Sequence, residues 1–337
     1  MRFKSNYRTY IIAEAGVNHN GKFSEAIKLV DAAKFAGADA VKFQTFDLDL
    51  NYSLKNTSNE KKEWVNNLTL SKKEFAKLFE YCKNSDIEFL STPFDIKSAS
   101  FLNELGVKIF KISSSELCNI KLLKFLSNIG KPIFLSTGLS YPEEIELAFN
   151  ILKENWNNNN FQFNQSIVFL YCVSIYPAPF ECFDMMVIPE LKKKFGLQVG
   201  FSDHSLGIEL PIASIALGAK VIEKHIKISD EVYCPDSNVS LNPTQFKMMV
   251  DSIRNVEMSL LKKKNSISEE ENKNRKILRK GMYWSKDLKK GKQIMEQDIE
   301  FKKPCLSLGI EYFSKITGKI LKENVAKGNP VFIKEIN

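Results

Sequence analysis

Leu197-Gln-Val-Gly-Phe-Ser-Asp-His204 and Lys220-Val-Ile-Glu-Lys-His225 are short apolar runs that follow one another along the chain, and each closes on a histidine. Both read as strands, and residues 205–219 between them have helix length, which is the pattern of a βαβ unit with parallel strands. Neighbouring parallel strands that end alike point both imidazoles into the same space. The chain holds only three histidines. Neutral imidazole is a divalent-metal ligand and a common general base, so this placement suggests a metal site. The other reading is a pair of satisfied core histidines.

The pattern repeats upstream. Residues 10–16, 40–46, 88–94, 109–116, 132–138 and 167–174 bring the strand-like runs to eight, with helix-length amphipathic stretches between them. Eight such units in about 250 residues predict an α/β fold, a (β/α)8 barrel over residues 1–261. The helical stretches carry their own punctuation. Residues 24–37 stop at Gly37, and residues 71–85 open on Ser71 with Glu74 three positions later, a capping box. Residues 142–154 start on Pro142 with acidic residues behind it. The asparagine-rich residues 155–160 read as a loop. After a last helix over 244–261, residues 262–279 are rich in Lys, Glu and Asn and read as a partly helical linker. Residues 280–337 read as a small β-rich domain with turns at Lys290-Gly291 and Lys327-Gly328-Asn329-Pro330.

Composition excludes several classes. No apolar run approaches the ~20 residues that span a bilayer, and the polar start leading into a strand is unlike a secretory signal. Six cysteines without CxxC spacing read as reduced thiols of a cytoplasmic protein. The net charge is +8, but the clusters Lys192-Lys193-Lys194 and 262–264 lack interleaved aromatics. They read as solvated faces, not a nucleic-acid site.

Active sites of such barrels lie at the C-terminal ends of the strands. The polar residues there are Glu14, Lys42, Gln44, Ser91, Thr92, Lys111, Ser113, Ser114, Ser115, Glu116, Ser136, Thr137, Ser174, Tyr176, Ser202, Asp203, His204, Glu223 and His225. Buried lysines and carboxylates are costly unless paired or used. Side chains two apart share a face of a strand, which pairs Lys42 with Gln44, Lys111 with Ser113, Ser114 with Glu116, and Glu223 with His225. Lysines and hydroxyls suit phosphate or carboxylate, and histidines beside a carboxylate suit a divalent cation. The residues alone point to an anionic, phosphorylated substrate beside a metal. Structural ion pairs and backbone-capping hydroxyls are the bland alternatives.

The segments Ile12-Ala13-Glu14-Ala15-Gly16-Val17-Asn18-His19-Asn20-Gly21, Val41-Lys42-Phe43-Gln44-Thr45-Phe46, Phe89-Leu90-Ser91-Thr92-Pro93-Phe94-Asp95, Leu135-Ser136-Thr137-Gly138, Tyr176-Pro177-Ala178-Pro179, Ser202-Asp203-His204 and Glu223-Lys224-His225 resemble the sialic acid synthase (nonulosonic acid synthase) family in order. The tail resembles that family's antifreeze-like (SAF) domain. The resemblance implies a TIM barrel followed by this domain, and a carbon–carbon bond-forming transferase. Phosphoenolpyruvate would condense with the open-chain aldehyde of an N-acetylated amino sugar, giving a nine-carbon 2-keto acid and phosphate. It implies Mn2+ or Mg2+ on His204 and His225. It places the phosphate and carboxylate of phosphoenolpyruvate on Lys42, Lys111, Ser114, Ser136 and Ser202, and proton handling on Glu116. It sets Glu14, Tyr176 and Asp236 near the sugar, Glu223 behind the metal, and His19 in the pocket wall with no role assigned. It also implies a domain-swapped homodimer in which the tail of one chain covers the site of the other. The opening motif and the Phe-Gln-Thr-Phe of strand 2 look closer to the neuraminate and legionaminate branches than to the pseudaminate branch.

Four segments depart from the family pattern. Ser113-Ser114-Ser115 stands where glycines usually flank the serine, Ser174 where Asn or Thr is usual, and Cys234-Pro235-Asp236 where Gly-Pro-Asp is usual. Lys303-Pro304-Cys305 replaces an Arg-Pro-Gly whose arginine meets the N-acetyl group, and lysine cannot reproduce a bidentate guanidinium fork. Two other readings therefore stand beside the synthase. One is a keto-deoxy sugar acid synthase acting on a phosphorylated aldose; the other is a non-catalytic sugar-binding homologue.

Overall fold

The apolar residues of Tyr10–Gly16 alternate between two destinations, and that alternation organises the fold. The structure, a computed structural model, describes residues 8–53, 55–158, 166–261 and 267–337. It divides into two compact units, Met1–Lys262 and Lys263–Asn337.

The first unit is built on eight parallel strands: β1 (Tyr10–Gly16), β2 (Ala40–Thr45), β3 (Glu88–Pro93), β4 (Phe110–Ile112), β5 (Ile133–Ser136), β6 (Ile167–Cys172), β7 (Gln198–Asp203) and β8 (Val221–His225). Their order is β3-β2-β1-β8-β7-β6-β5-β4. Glu14 pairs with Lys42 on one side and His225 on the other, which joins the first strand to the last. β3 lies alongside β4 without a ladder among the described residues, so the (β/α)8 barrel is nearly closed. One main helix follows each strand: α1 (Phe23–Phe35), α2 (Lys72–Asn84), α3 (Ile96–Leu105), α4 (Ile120–Ile129), α5 (Pro142–Asn158), α6 (Val187–Phe195), α7 (Glu209–Ala216) and α8 (Pro243–Leu260).

Alternation divides the core. Ile12, Ala40, Leu90, Ile109, Phe134, Val168, Leu170 and Val221 face inward and plug the lower barrel. Their neighbours Ile11, Val41, Phe89, Phe110, Ile133, Phe169 and Ile222 face outward and pack under the helices. Each large side chain so buried contributes about 1.5–3 kcal/mol. Continuing the inward parity toward the strand ends reaches Glu14, Lys42, Lys111, Ser136, Ser202, Glu223 and His225.

Several expectations are corrected by local chemistry. β4 ends at Ile112, short of Glu116, because Ser114–Glu116 turn into a 3-10 helix. Hydroxyls that bond their own backbone and one another favour such turns over a ladder. The pairing of Ser114 with Glu116 on one strand face is lost with it. α5 runs to Asn158, into the loop placed at 155–160, because Ala148, Leu152 and the fully buried Trp156 continue a stripe of four-residue spacing. The rest of that run, and the lysines at 262–264, lie outside the described residues. Ser71 and Glu74 do form the capping box of α2.

In the second unit, β9 (Gly281–Trp284) pairs antiparallel with β10 (Ile299–Lys302). Trp284, Ile294, Ile316, Leu321 and Val331 form its core. The stretch read as a linker contains α9 (Glu269–Leu278), capped by Ser268. α9 belongs to this unit: Cys305 N donates to the Lys276 carbonyl at 2.9 Å, and Arg275 meets Glu311 at 3.2 Å. Among the described residues no helix is long and apolar enough to cross a membrane, and all six cysteines are free.

Gly200 belongs to the inward layer of β7, where an added Cβ would press on the Val221 carbonyl oxygen and the Leu170 side chain. Gly200→Ala should therefore destabilise the barrel by about 1–3 kcal/mol through overpacking, read as a lower urea midpoint with an unchanged m-value.

Candidate active site

The inward polar residues line a cavity of about 240 Å³ at the C-terminal ends of the strands. Its floor is ionic. Lys42 Nζ lies 2.7 Å from Glu14 Oε2 and 3.7 Å from Glu223 Oε2, and it donates to Thr92 Oγ1 at 3.0 Å. Lys111 Nζ lies 3.6 Å from Glu223 Oε1 and donates to the Ile112 carbonyl at 3.1 Å. Gln44 Nε2 donates to Glu14 Oε1 at 3.2 Å, and Ser202 Oγ donates to Glu223 Oε1 at 2.9 Å.

All four charged side chains are buried, and burial in general disfavours a charged form. For Glu223 burial is the largest influence, but Lys111 and Lys42 together overcome it and hold the carboxyl well below the usual range. Burial likewise opposes the Lys42 ammonium, and Glu14 with Glu223 more than offsets it, so its pKa lies above the ordinary value. At Lys111 burial prevails over the pull of Glu223, with Lys42 repelling as well, and the pKa lies below the ordinary value. Lys111 is thus the cation that gains most from an arriving anion.

Hydroxyls share this cavity with Lys111. Ser113, Ser114, Ser115, Ser136, Ser174 and Ser202 line the same cavity. Gly138 N donates to Ser114 Oγ at 3.1 Å. A Cβ at this glycine would stand 2.5 Å from Ser174 Oγ and 2.8 Å from Ser114 Oγ, so the bare backbone lets these hydroxyls converge. Ser136 Oγ and Glu223 Oε2 are buried without a hydrogen-bond partner. Such atoms are rare inside proteins, and here they cluster where a ligand would meet them.

The imidazoles stand across the cavity. The ring centroids of His204 and His225 are 5.4 Å apart. His204 Nδ1 lies 2.7 Å from the Val173 carbonyl oxygen. A carbonyl only accepts, so Nδ1 carries the proton and the Nε2 lone pair is free to coordinate. Burial holds the His204 pKa below the usual histidine value, which keeps the ring neutral near pH 7. The Tyr176 ring packs 4.2 Å from that of His204. His225 Nδ1 makes no hydrogen bond and faces Asp236 Oδ2 at 3.4 Å. Burial would raise the Asp236 pKa, but the imidazoles of His225 and His204 hold it below the ordinary value. Asn18 places the loop that carries Asp236: its Oδ1 accepts from Asp236 N at 3.0 Å, and its Nδ2 donates to the Ile226 carbonyl at 2.9 Å.

Glu14, Lys42, Lys111, Ser114, Ser136, Ser174, Tyr176, Ser202, His204, Glu223 and His225 therefore line one cavity, and Asp236 joins it through His225. Glu116 and His19 stand off the cavity wall, and Lys303 belongs to the second unit. Glu116, carried round by the 3-10 turn, accepts from Asn119 Nδ2 at 2.7 Å and is off the cavity wall. Lys303 is exposed on the second unit, at a cis bond to Pro304. His19 is buried against Phe43, outside the cavity. Sequence reading passed over Cys172, which lines the cavity with its Sγ 3.7 Å from His204 Nδ1. Its signal was available: Cys172 ends β6 and continues the inward parity of Val168 and Leu170. A larger opening, about 760 Å³, lies at the N-terminal strand ends around Tyr10, Asp39 and Glu88. Charges there are matched to each other, Arg8 with Asp39 at 3.1 Å and Lys108 with Glu88 at 2.7 Å, and no imidazole faces it.

The model of the NeuB family matches residues 29–265. The chain is 40% identical over 328 residues to the N,N'-diacetyllegionaminic acid synthase of Campylobacter jejuni, covering 94% of this chain and 97% of that one. It is 33% identical over 338 residues to a pseudaminic acid synthase of the same organism, covering 97% and 96%. Among solved structures it is similar to the N-acetylneuraminic acid (sialic acid) synthetase of Leptospira borgpetersenii in complex with citrate. That likeness has a TM-score of 0.71 and 33% identity, and covers 79% of this chain and 90% of that one.

Burial pushes the pKa of His19 from 6.5 down to about 4, against the pull of Glu74. The unfolded chain thus takes up this proton near pH 6.5 while the folded chain resists until near pH 4. The stability involved is full above pH 6.5 and is lost as the pH falls toward 4, about 3 kcal/mol in all. In urea unfolding between pH 7 and 5, His19→Gln should lose less stability than the natural chain.

Proposed function

The chain belongs to the NeuB family, and on that premise we propose that it is a nonulosonic (sialic) acid synthase condensing phosphoenolpyruvate with an N-acetylated amino sugar. The observation that carries this reading is the meeting of a buried lysine–hydroxyl cluster and two imidazoles at one barrel mouth. The first suits the phosphate and carboxylate of phosphoenolpyruvate, and the second suits a divalent cation beside an aldehyde.

In this reading Lys111, with Ser114, Ser136 and Ser174, holds the phosphate, and Lys42 with Ser202 holds the carboxylate. His204 would offer Nε2 to the metal, and His225, with Asp236 beside it, would be the second holder. Two imidazoles with a carboxylate nearby have the donor chemistry that Mn2+ or Mg2+ accepts alongside oxygen ligands from water or substrate. Such a cation polarises the aldehyde oxygen when bound. The chain's own groups do the rest. The cluster aligns C3 of phosphoenolpyruvate with the aldehyde carbon. A bond forms between those carbons, a water oxygen adds to C2, and the C2–O bond to phosphate breaks. Glu14 and Glu223 are the carboxylates inside the cavity, and proton transfer from the water and to the new hydroxyl falls to them in place of Glu116.

The acceptor is best read as N-acetylmannosamine or a 2,4-diacetamido-2,4,6-trideoxyhexose. The higher identity to a legionaminic acid synthase than to a pseudaminic one favours the neuraminate and legionaminate branches. The second unit is read as the SAF domain. Leu139, Tyr141, Ile175, Phe180, Leu206 and Tyr233 are exposed on the loops that follow the strand ends. An apolar collar of this kind supports a cover supplied by the second unit of a partner chain, hence a domain-swapped homodimer.

With Mn2+, phosphoenolpyruvate and a panel of N-acetylated sugars, the purified chain should release phosphate with at least one sugar and not with arabinose 5-phosphate or erythrose 4-phosphate. Silence across every N-acetylated sugar would overturn the synthase. Lys111→Ala should raise the KM for phosphoenolpyruvate more than about tenfold, because a charged contact to a buried anion is lost. His225→Ala should remove metal-stimulated turnover and weaken Mn2+ binding measured by calorimetry without substrate.

A further inference from the structure

The strand ends that carry the imidazoles carry a second pair facing the other way. Asp203 and Lys224 stand opposite each other across β7 and β8, each one residue before a histidine. Neither lines the cavity, and both side chains are fully buried. Lys224 Nζ lies 2.5 Å from Asp203 Oδ2 and also donates to the Ser205 carbonyl. Asp203 Oδ1 accepts from Ser205 N at 2.9 Å, and Oδ2 accepts from Ser205 Oγ at 3.0 Å. These bonds close a ring around the turn that has His204 at its centre, and they anchor that turn to the residue before His225.

A fully buried ion pair is a weak source of stability, since an apolar pair of similar volume does as well or better. What apolar contact cannot supply is direction, because the hydrophobic effect has none. The imidazoles need direction from elsewhere. His204 Nδ1 meets the Val173 carbonyl and Cys172 Sγ, and His225 Nδ1 faces Asp236 at 3.4 Å, but none of these contacts ties one ring to the other. We propose that Asp203 and Lys224 are positioning residues, whose outward ion pair fixes the separation and tilt of the His204 and His225 rings, 5.4 Å and 51°. Only the kinetic arm of the test rests on the synthase reading.

The test is Asp203→Leu/Lys224→Met, an apolar replacement of the whole pair. The urea midpoint should stay level or rise. The 15N imidazole resonances of His204 and His225, assignable in a chain of three histidines, should shift and broaden. The kcat for phosphate release should fall by about 30-fold or more while the KM for phosphoenolpyruvate stays within about twofold, the signature of misplaced groups rather than lost binding. Unmoved resonances overturn the proposal, and so does an unchanged kcat, whatever happens to stability. Should that variant fail to fold, Asp203→Asn/Lys224→Met, which keeps an acceptor for Ser205 N, is read by the same two criteria. If the natural chain releases no phosphate with any acceptor, the synthase reading falls and the imidazole spectra alone decide.

Discussion

Four charges buried inside a barrel are the constraint on which the rest of this structure turns. Glu14, Lys42, Lys111 and Glu223 come from four different strands, and each is nearly sealed from solvent. Desolvation of that many ions is tolerable only if every charge finds its opposite at short range. The strand register provides this: Glu14 lies level with Lys42 on β2 and with His225 on β8. Below them the barrel is filled by Ile12, Leu90, Phe134 and Val221, so the charges have no route downward and must face the mouth. Burial and pairing together make the upper barrel polar, and its polarity is not fully spent. Ser136 Oγ and one oxygen of Glu223 have no hydrogen bond.

Glu223 is the hub. It faces Lys42 and Lys111 at once, accepts from Ser202, and sits two residues before His225. The anion-binding side and the imidazole side of the cavity are therefore joined through one strand and one carboxylate. A change at Glu223 would reach both halves, whereas a change at Ser174 or Tyr176 would reach only one.

What the sequence reveals follows the strength of its physical signals. Eight apolar runs with helical spacers define the barrel, and the inward parity of those runs leads to Lys42, Lys111, Glu223 and the histidines. Glu116 was misplaced because parity holds only while a strand continues, and three consecutive serines end β4 before it. The extension of α5 was hidden by asparagines, although Trp156 carried the correct spacing. Cys172 was overlooked because sulfur at a strand end reads as core. In the sequence Asp203 counts among the polar residues of the mouth and Lys224 has no part assigned. Only the layer of helices outside the barrel makes them buried, and a layer is a tertiary fact.

The triple serine is the departure from the family pattern with the most direct physical consequence. Glycines beside a central serine suggest a backbone that needs left-handed angles. Here Ser113 has φ −71° and ψ 164°, and none of the three serines has a positive φ. The turn is thus accessible to ordinary residues without strain. The substitution adds side chains where glycine has none: Ser113 Oγ and Ser115 Oγ lie 2.8 Å apart, and both residues line the cavity. Two extra hydroxyls next to Lys111 enlarge the hydrogen-bonding capacity of the side that suits an anion. They also narrow it, since their Cβ atoms occupy volume that glycine leaves open. The altered segment therefore keeps the chemistry of that wall while changing its shape, and shape is the property by which a cavity sorts related anions.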